Sequence, residues 1–118
     1  MENFTDLKLE IFVPYDHALK LRDEVAKIGV GQLENYHRAV AISQELGCFL
    51  PLIGAKPFDG EIGKVRETVE YTVEINGQRA LFNEALKVIR SVHLCEEPLV
   101  NIIPLANHFF DLNGMLGK

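Results

Sequence analysis

The densest grouping of reactive side chains in this sequence is HLCEEP, His93 to Pro98, where an imidazole, a thiol and two carboxylates stand almost side by side. All are metal-ligand types, and a thiolate beside an imidazole favours copper or zinc. His93, Cys95 and Glu96 are therefore candidate metal ligands, and His93, Glu96 and Glu97 candidate contacts for a bound ligand. One short cluster supplies too few well-spaced donors for a closed tetrahedral site, so a residue such as His37 or His108, from this chain or another subunit, would have to complete it. The structural reading stands beside it. Pro98 restricts Glu97 to extended geometry, and His93 and Glu96 would then fix a shaped turn by hydrogen bonding. Both readings remain open at this point.

The second grouping is GAKPFDGEIG, Gly54 to Gly63. Glycines let backbone N–H groups approach a phosphate closely, but a phosphate loop needs a lysine and a hydroxyl residue after its last glycine, opening a helix. Here Gly63 and Lys64 run into Val65 and a strand pattern, so an ordered loop built on glycine turns is expected, with Phe58 packed inside it. Tyr36 and His37 are further ligand candidates that could face a cleft. His17 falls in the first turn of a helix, where a positive charge is disfavoured, and should act locally as a neutral ring. Cys48, in an apolar run, reads as a small core residue. There is no nucleophile elbow and no HExxH, so the sequence does not support an enzyme.

Composition narrows the classes. The 118 residues hold seventeen acidic and twelve basic side chains, a net charge of −5, with the basic residues scattered among acids. A charge-driven grip on nucleic acid is not expected. No apolar run is long enough to span a membrane, no secretory signal is visible, and two cysteines suit reduced thiols in the cytoplasm. The length fits one domain, residues 1–118, with a core over 6–105 and a tail over 106–118.

Those chemical groups must be positioned by a repeated pattern. Leu7, Leu9, Ile11 and Val13 alternate with polar residues, which predicts a half-buried strand stopped at Pro14. Asp16 is the expected N-cap of a helix carrying Ala18, Leu21, Val25 and Ile28 on one stripe, ended by Gly29 in the left-handed conformation. A second round follows. Val65, Val69, Tyr71, Val73 and Ile75 share one face of a long strand whose other face, Arg66 to Glu74, is polar. Asn76 and Gly77 are expected to turn the chain into a helix with Leu81, Ala85, Val88 and Val92 in line and Phe82 and Ile89 beside them. Between the rounds, Leu33–Ser43 and Cys48–Ile53 read as two strands parted by a turn at Gln44, Glu45 and Gly47. Leu99–Leu105 is the last strand, and the tail, with His108, Phe109, Phe110 and Leu112, could form a short helix. This order is an α+β, ferredoxin-like βαββαβ plan with an extra hairpin.

GVGQLENY (Gly29 to Tyr36), GCFLPLIGAKPFDGEIGKV (Gly47 to Val65) and HLCEEP followed by IIPL resemble the domain inserted in bacterial NGG-interacting-factor-three-like proteins. The chain is more distantly similar to the CutA divalent-cation-tolerance proteins, through Gly63, Lys64, Val65 and Glu67 and the turn at His93, Glu96 and Pro98. The resemblance implies a PII/CutA-like sandwich and a homotrimer in which the polar strand Arg66 to Glu74 forms a subunit interface or cleft wall. It carries over no hydrolase activity, because that family's dinuclear metal ligands lie in outer halves without counterparts here. Leu94 and Cys95 replace the family's Pro-Tyr, exchanging a phenol for a thiol. The function expected is a non-enzymatic trimer binding a small ligand or divalent metal, copper or zinc, in inter-subunit clefts, with a regulatory or metal-homeostasis role. The alternative is a regulatory module docking on a partner enzyme, and a more remote one a small metal-dependent hydrolase using Glu96 or Glu97 as base.

Overall fold

The strict alternation at the start of the chain forms β1 (Asp6–Val13), in which every second residue is buried. Leu9 and Ile11 are completely inaccessible, because β1 is an inner strand with a neighbour on each side. A computed structural model describes residues 3–33, 35–57, 59–92 and 99–115. After β1 come α1 (Tyr15–Ala26), β2 (Val40–Phe49), β3 (Arg66–Gln78), α2 (Phe82–Val92) and β4 (Val100–Leu105). A 3-10 turn over Arg79–Leu81 leads into α2, and a second over Asn107–Phe109 and α3 (Leu112–Met115) complete the described chain. The sheet order is β2-β3-β1-β4 and every pairing is antiparallel. Each βαβ round is thus split to admit a strand of the other, as the ferredoxin-like plan requires.

One layer of side chains holds the two helices to the sheet. Leu7, Leu9, Ile11 and Val13 of β1 and Val73 and Ile75 of β3 meet Ala18, Leu21 and Val25 of α1 and Phe82, Ala85, Ile89 and Val92 of α2. Full burial of each large aliphatic side chain contributes roughly 1.5–3 kcal/mol, which makes this layer the main source of stability. Leu81 and Val88, read from sequence as stripe positions, are only partly buried at its margin.

Several local expectations are corrected. No side chain caps α1: Pro14 precedes it and Asp16 lies in its first turn. Its C-terminus does end as expected, with Gly29 at φ +95°. The Val30 N–H donates to Val25 O at 3.2 Å and the Gly29 N–H to Ala26 O at 3.1 Å, the Schellman arrangement. Asn76 and Gly77 do not turn the chain; they continue β3, where Gly77 faces Leu7. A Cβ on Gly77 would come within 3.2 Å of both Phe82 and Val30, so this glycine admits the start of α2 to the sheet and turns nothing. The two runs expected on either side of Gln44 and Glu45 meet in one strand, Val40–Phe49, while the residues before it and residues 50–53 after it lie in loops. Its polar centre is held in register by Gln44 opposite Tyr71, Glu45 opposite Glu70 and Gly47 opposite Thr68. Continuous cross-strand pairing outweighs the local turn preference of those residues.

β2 and β3 outrun the rest of the sheet. β1 pairs with β3 only as far as Val13 opposite Tyr71, whereas β2 follows β3 out to Phe49 opposite Arg66. The extra hairpin is therefore this projecting half of the β2–β3 pair, and it accompanies a molecular extent of 54 × 25 × 25 Å. The rings of Tyr15 and Tyr71 meet at 4.8 Å, at the register where β1 ends. Beyond that point Leu46 and Val69, which are cross-strand partners, are 67% and 54% exposed. Cys48, one step further, is exposed too and not a core residue.

The opposite face of the sheet is polar. The Asn101 amide donates to Glu10 at 3.0 Å and Lys8 lies 3.6 Å from Glu74. Thr72 on the same face is buried, and its hydroxyl has no hydrogen-bond partner among the described residues. An unsatisfied buried hydroxyl costs free energy, so Thr72→Val should raise stability by about 1 kcal/mol. Urea denaturation would show this as a higher midpoint at unchanged slope; a lower midpoint would mean the hydroxyl is satisfied in solution.

Candidate functional site

The expected HLCEEP site, with His93, Cys95, Glu96 and Glu97, lies outside the described residues, as does Phe58. Among the described residues no cluster of three or more histidine, cysteine, aspartate or glutamate side chains could hold a metal ion. No described helix is long and apolar enough to cross a membrane. His17 is in the first turn of α1 as expected, with a buried Nδ1 that has no partner among the described residues. His108 belongs to an aromatic group at the tail, its ring 4.0 Å from that of Phe109 and 6.2 Å from that of Phe4. Phe4 precedes β1, so the tail folds back beside the start of the first strand.

Tyr36 and His37 lie on the loop that links α1 to β2, and His37 is not on a strand. The loop is a closed excursion. The Gly31 N–H donates to Asn76 O at 2.9 Å and the Ala39 N–H to Gly31 O at 2.8 Å, which ties both ends of the loop together on the sheet. Within it, Leu33 and Tyr36 exchange both backbone hydrogen bonds at 2.7 and 2.8 Å. Gly31 sits at φ +83°, and a Cβ there would lie 2.8 Å from Ile75 Cδ1. The two glycines of GVGQLENY thus have separate tasks: Gly29 ends the helix, and Gly31 lets the loop cross close above β3.

The loop and the end of α1 border an open depression of about 460 Å³ whose described lining includes Lys27, Gln32, Asn35, Tyr36, His37 and Arg38. Tyr36 is 74% exposed. Arg38 is the single non-glycine residue with positive φ among the described residues, at 58°. Its Nη1 meets His37 Nδ1 at 2.8 Å and its Nε donates to Asp23 Oδ1 at 3.0 Å. The first contact requires a neutral His37 that accepts at Nδ1 and carries its proton on Nε2. Of the expected site residues, the structure therefore brings together Tyr36 and His37 and adds Lys27, Gln32, Asn35 and Arg38, which the sequence reading missed. The available signal was the pair of glycines before an Asn-Tyr-His-Arg run, which implies a tight loop presenting polar side chains.

Asp23 also accepts from Arg22 Nε at 2.9 Å. That bond, with Arg38 adding to it against an opposing desolvation, holds the Asp23 carboxyl below its usual 3.8. A carboxyl depressed in the folded state contributes stability that is complete above the unfolded value and lost as pH falls through the folded one. A carbon-13 titration should find the Asp23 midpoint below that of the unfolded chain and rising with salt, because the pair is open to solvent. A midpoint at or above the unfolded value would show that the arginines do not hold this carboxylate in solution.

The connection between β2 and β3, residues 50–65, is ordered by its own bonds. The Gly63 N–H donates to Pro51 O at 2.8 Å, and Arg66 Nε donates to both Asp59 carboxylate oxygens at 3.2 and 3.1 Å. Gly54, Gly60 and Gly63 all have positive φ, so these glycines serve turn geometry. Leu52 and Ile53, near its start, are 68% and 96% exposed.

No protein-family model matches the chain. Among curated proteins it is 31% identical over 100 residues to a GTP cyclohydrolase 1 type 2 homolog of Halalkalibacterium halodurans, covering 85% of this chain and 27% of that protein. A protein of the same name from Bacillus subtilis is 29% identical over 98 residues, covering 83% and 26%. The chain thus spans about a quarter of the length of the curated relatives it matches. A Bacillus cereus protein related to NIF3 superimposes with a TM-score of 0.77 at 26% identity, over 88% of this chain and 26% of that one. CutA1 of Ehrlichia chaffeensis (TM-score 0.67, 13% identity, 89% and 85% covered) and GlnK of B. subtilis (0.58, 19%, 86% and 86%) share the fold. The fold is thus the ferredoxin-like α+β fold that CutA and GlnK also have. The chain's sequence likeness is to one segment of the NIF3-related proteins, as the motifs imply.

Proposed function

We propose that this chain is a non-enzymatic PII/CutA-like protein, trimeric through its projecting β2–β3 ribbon, that binds a small ligand or divalent metal in clefts between subunits. Its role would be regulation or metal homeostasis. The observation that carries the reading is the uncovered apolar surface of the ribbon, Leu46 and Val69, with Val65 just before β3, on a domain with the fold of CutA and GlnK. Exposed apolar groups clustered at one end of a molecule mark an interaction surface. β2 is also, among the described residues, an edge strand of ten residues, a ready template for another chain. Copper or zinc binding at His93, Cys95 and Glu96 belongs to the same proposal. CutA relatives are named for divalent cation tolerance, which supports testing a metal first. Cys95→Ala should then weaken copper or zinc binding about tenfold, or about 1.4 kcal/mol, in a calorimetric titration. Unchanged affinity would remove that thiol from the site.

A second reading is favoured by the short span of the likeness: a module that docks on a partner enzyme, as one segment of a much longer relative must sit against the rest of its chain. The exposed Leu52 and Ile53 and the tail residue Phe110 would be its contacts. Native mass spectrometry on protein purified without chelator or affinity metal decides between them. A trimer with added mass per subunit is expected; a monomer that forms a stoichiometric complex with one partner, lost on truncation after Leu105, would establish the second reading.

A further inference from the structure

The polar face of the sheet carries a second concavity, at the end away from the projecting ribbon. It has a volume of about 230 Å³, and its described lining joins Lys8, Ala41, Glu74 and Asn76 of the sheet to the start and end of the α1–β2 loop. The Gly31 N–H donates to Asn76 O at 2.9 Å and the Ala39 N–H to Gly31 O at 2.8 Å, so the loop wall is fastened to the sheet. The hollow exists because its floor is made of small residues. Ala41 stands directly opposite Glu74, Ala39 lies two residues before it, and Gly31 contributes no side chain.

Lys8 and Glu74 are the charged groups of this lining. Lys8 is opposite Asn76 and Glu74 is two residues away on the same strand; diagonal neighbours of this kind stand about 7–8 Å apart along the sheet. Their charged ends lean together to 3.6 Å, which is too long for a hydrogen bond. A part-exposed ion pair of this sort contributes little by itself. A ligand that brings both a carboxylate and an ammonium group replaces it and leaves neither partner unpaired, whereas a ligand with one charge strands the other side chain. Glu10 faces Glu74 from β1 and accepts from the Asn101 amide; its charge further favours an ammonium beside Glu74.

The remaining lining suits a small body between those charges. Gln32 and Asn76 offer amides that donate and accept. Leu33, 64% exposed, joins the two alanines as an apolar wall. A few polar groups set around apolar surface are the usual make-up of a small-molecule site, and the volume lies below the range of drug-sized ligands.

We infer that this concavity binds a free α-amino acid with a short apolar side chain: Lys8 takes the carboxylate, Glu74 takes the ammonium, and Leu33, Ala39 and Ala41 contact the side chain. This deepens the proposal that the protein binds a small ligand and does not rest on the trimer, since every group named comes from one chain.

The test is a titration of the nitrogen-15 amide spectrum of the full chain with L-alanine, L-valine and L-leucine. Each is run beside its amine and its carboxylic acid, which lack one of the two charged groups. At least one amino acid is expected to bind with a Kd of about 1 mM or tighter and to shift the amides of Gln32, Ala39 and Ala41, with its amine and its acid each at least about tenfold weaker. Ala41→Val fills the floor with a residue suited to a strand, and Lys8→Met removes one charge. Both variants should weaken binding about tenfold and leave the rest of the spectrum in place. The inference is overturned if none of the three amino acids shifts those amides at about 10 mM, if an amine or acid binds as tightly as its amino acid, or if either variant binds as the parent does. A monomer that binds would leave it standing and remove the trimer; a trimer that does not bind would remove it alone.

Discussion

Val69→Asp should leave the domain folded and strongly weaken the proposed self-association. Val69 is 54% exposed opposite the 67% exposed Leu46, beyond the last β1 pairing, so no core contact is lost in the single chain. In an assembly that covers the ribbon, the same position would hold a buried, unpaired carboxylate, costing several kcal/mol. Association should weaken by at least about a hundredfold, or about 2.7 kcal/mol. Sedimentation equilibrium of parent and variant reads this directly, with the far-ultraviolet dichroism unchanged. A variant that still assembles like the parent would show that the ribbon is not the interface.

The largest stability effect is expected at Gly31. Gly31→Val must place a β-branched residue at φ +83° and a Cβ 2.8 Å from Ile75 Cδ1. The left-handed backbone costs roughly 1–2 kcal/mol and overpacking against a buried isoleucine about 1–3 more. A total loss of about 3 kcal/mol corresponds to a Tm lower by roughly 10 °C for a domain of this size. Gly54→Ala separates the two contributions, because Gly54 has φ +100° with nothing within 4 Å of the added Cβ. Only the backbone part, about 1 kcal/mol, should appear there. Equal losses at the two positions would mean that the loop shifts away from Ile75 without penalty.

These two sites show what the sequence made legible. The β1 alternation and the stripes of α1 and α2 were readable because period-2 and period-3.6 burial is imposed by one packed layer. Gly29 was readable because a helix end has a local cause. Gly77 was not: next to Asn76 it carries the signature of a tight turn, and only the approach of Phe82 and Val30 reveals its role. Gln44, Glu45 and Gly47 misled for the same reason, since the partner strand that fixes them is remote in sequence. Cys48 looked like a core residue because apolar character cannot say where the covering helices stop. Of the site, Tyr36 and His37 were legible as residue types at the end of a motif. Arg38 and its tie to Asp23 depend on a loop closure invisible in the linear order.

The β2–β3 ribbon also grades the molecule dynamically. From Ile75 to Tyr71 each β3 residue has strand partners on both sides, whereas from Glu70 to Arg66, among the described residues, the strand is paired with β2 alone. Opening the outer half breaks one ladder and exposes little that was buried, so it needs less free energy than global unfolding. Amide hydrogens should therefore exchange progressively faster along this one strand from Tyr71 towards Arg66. In the proposed assembly the same amides would gain protection, which makes their exchange a readout of the encounter between subunits.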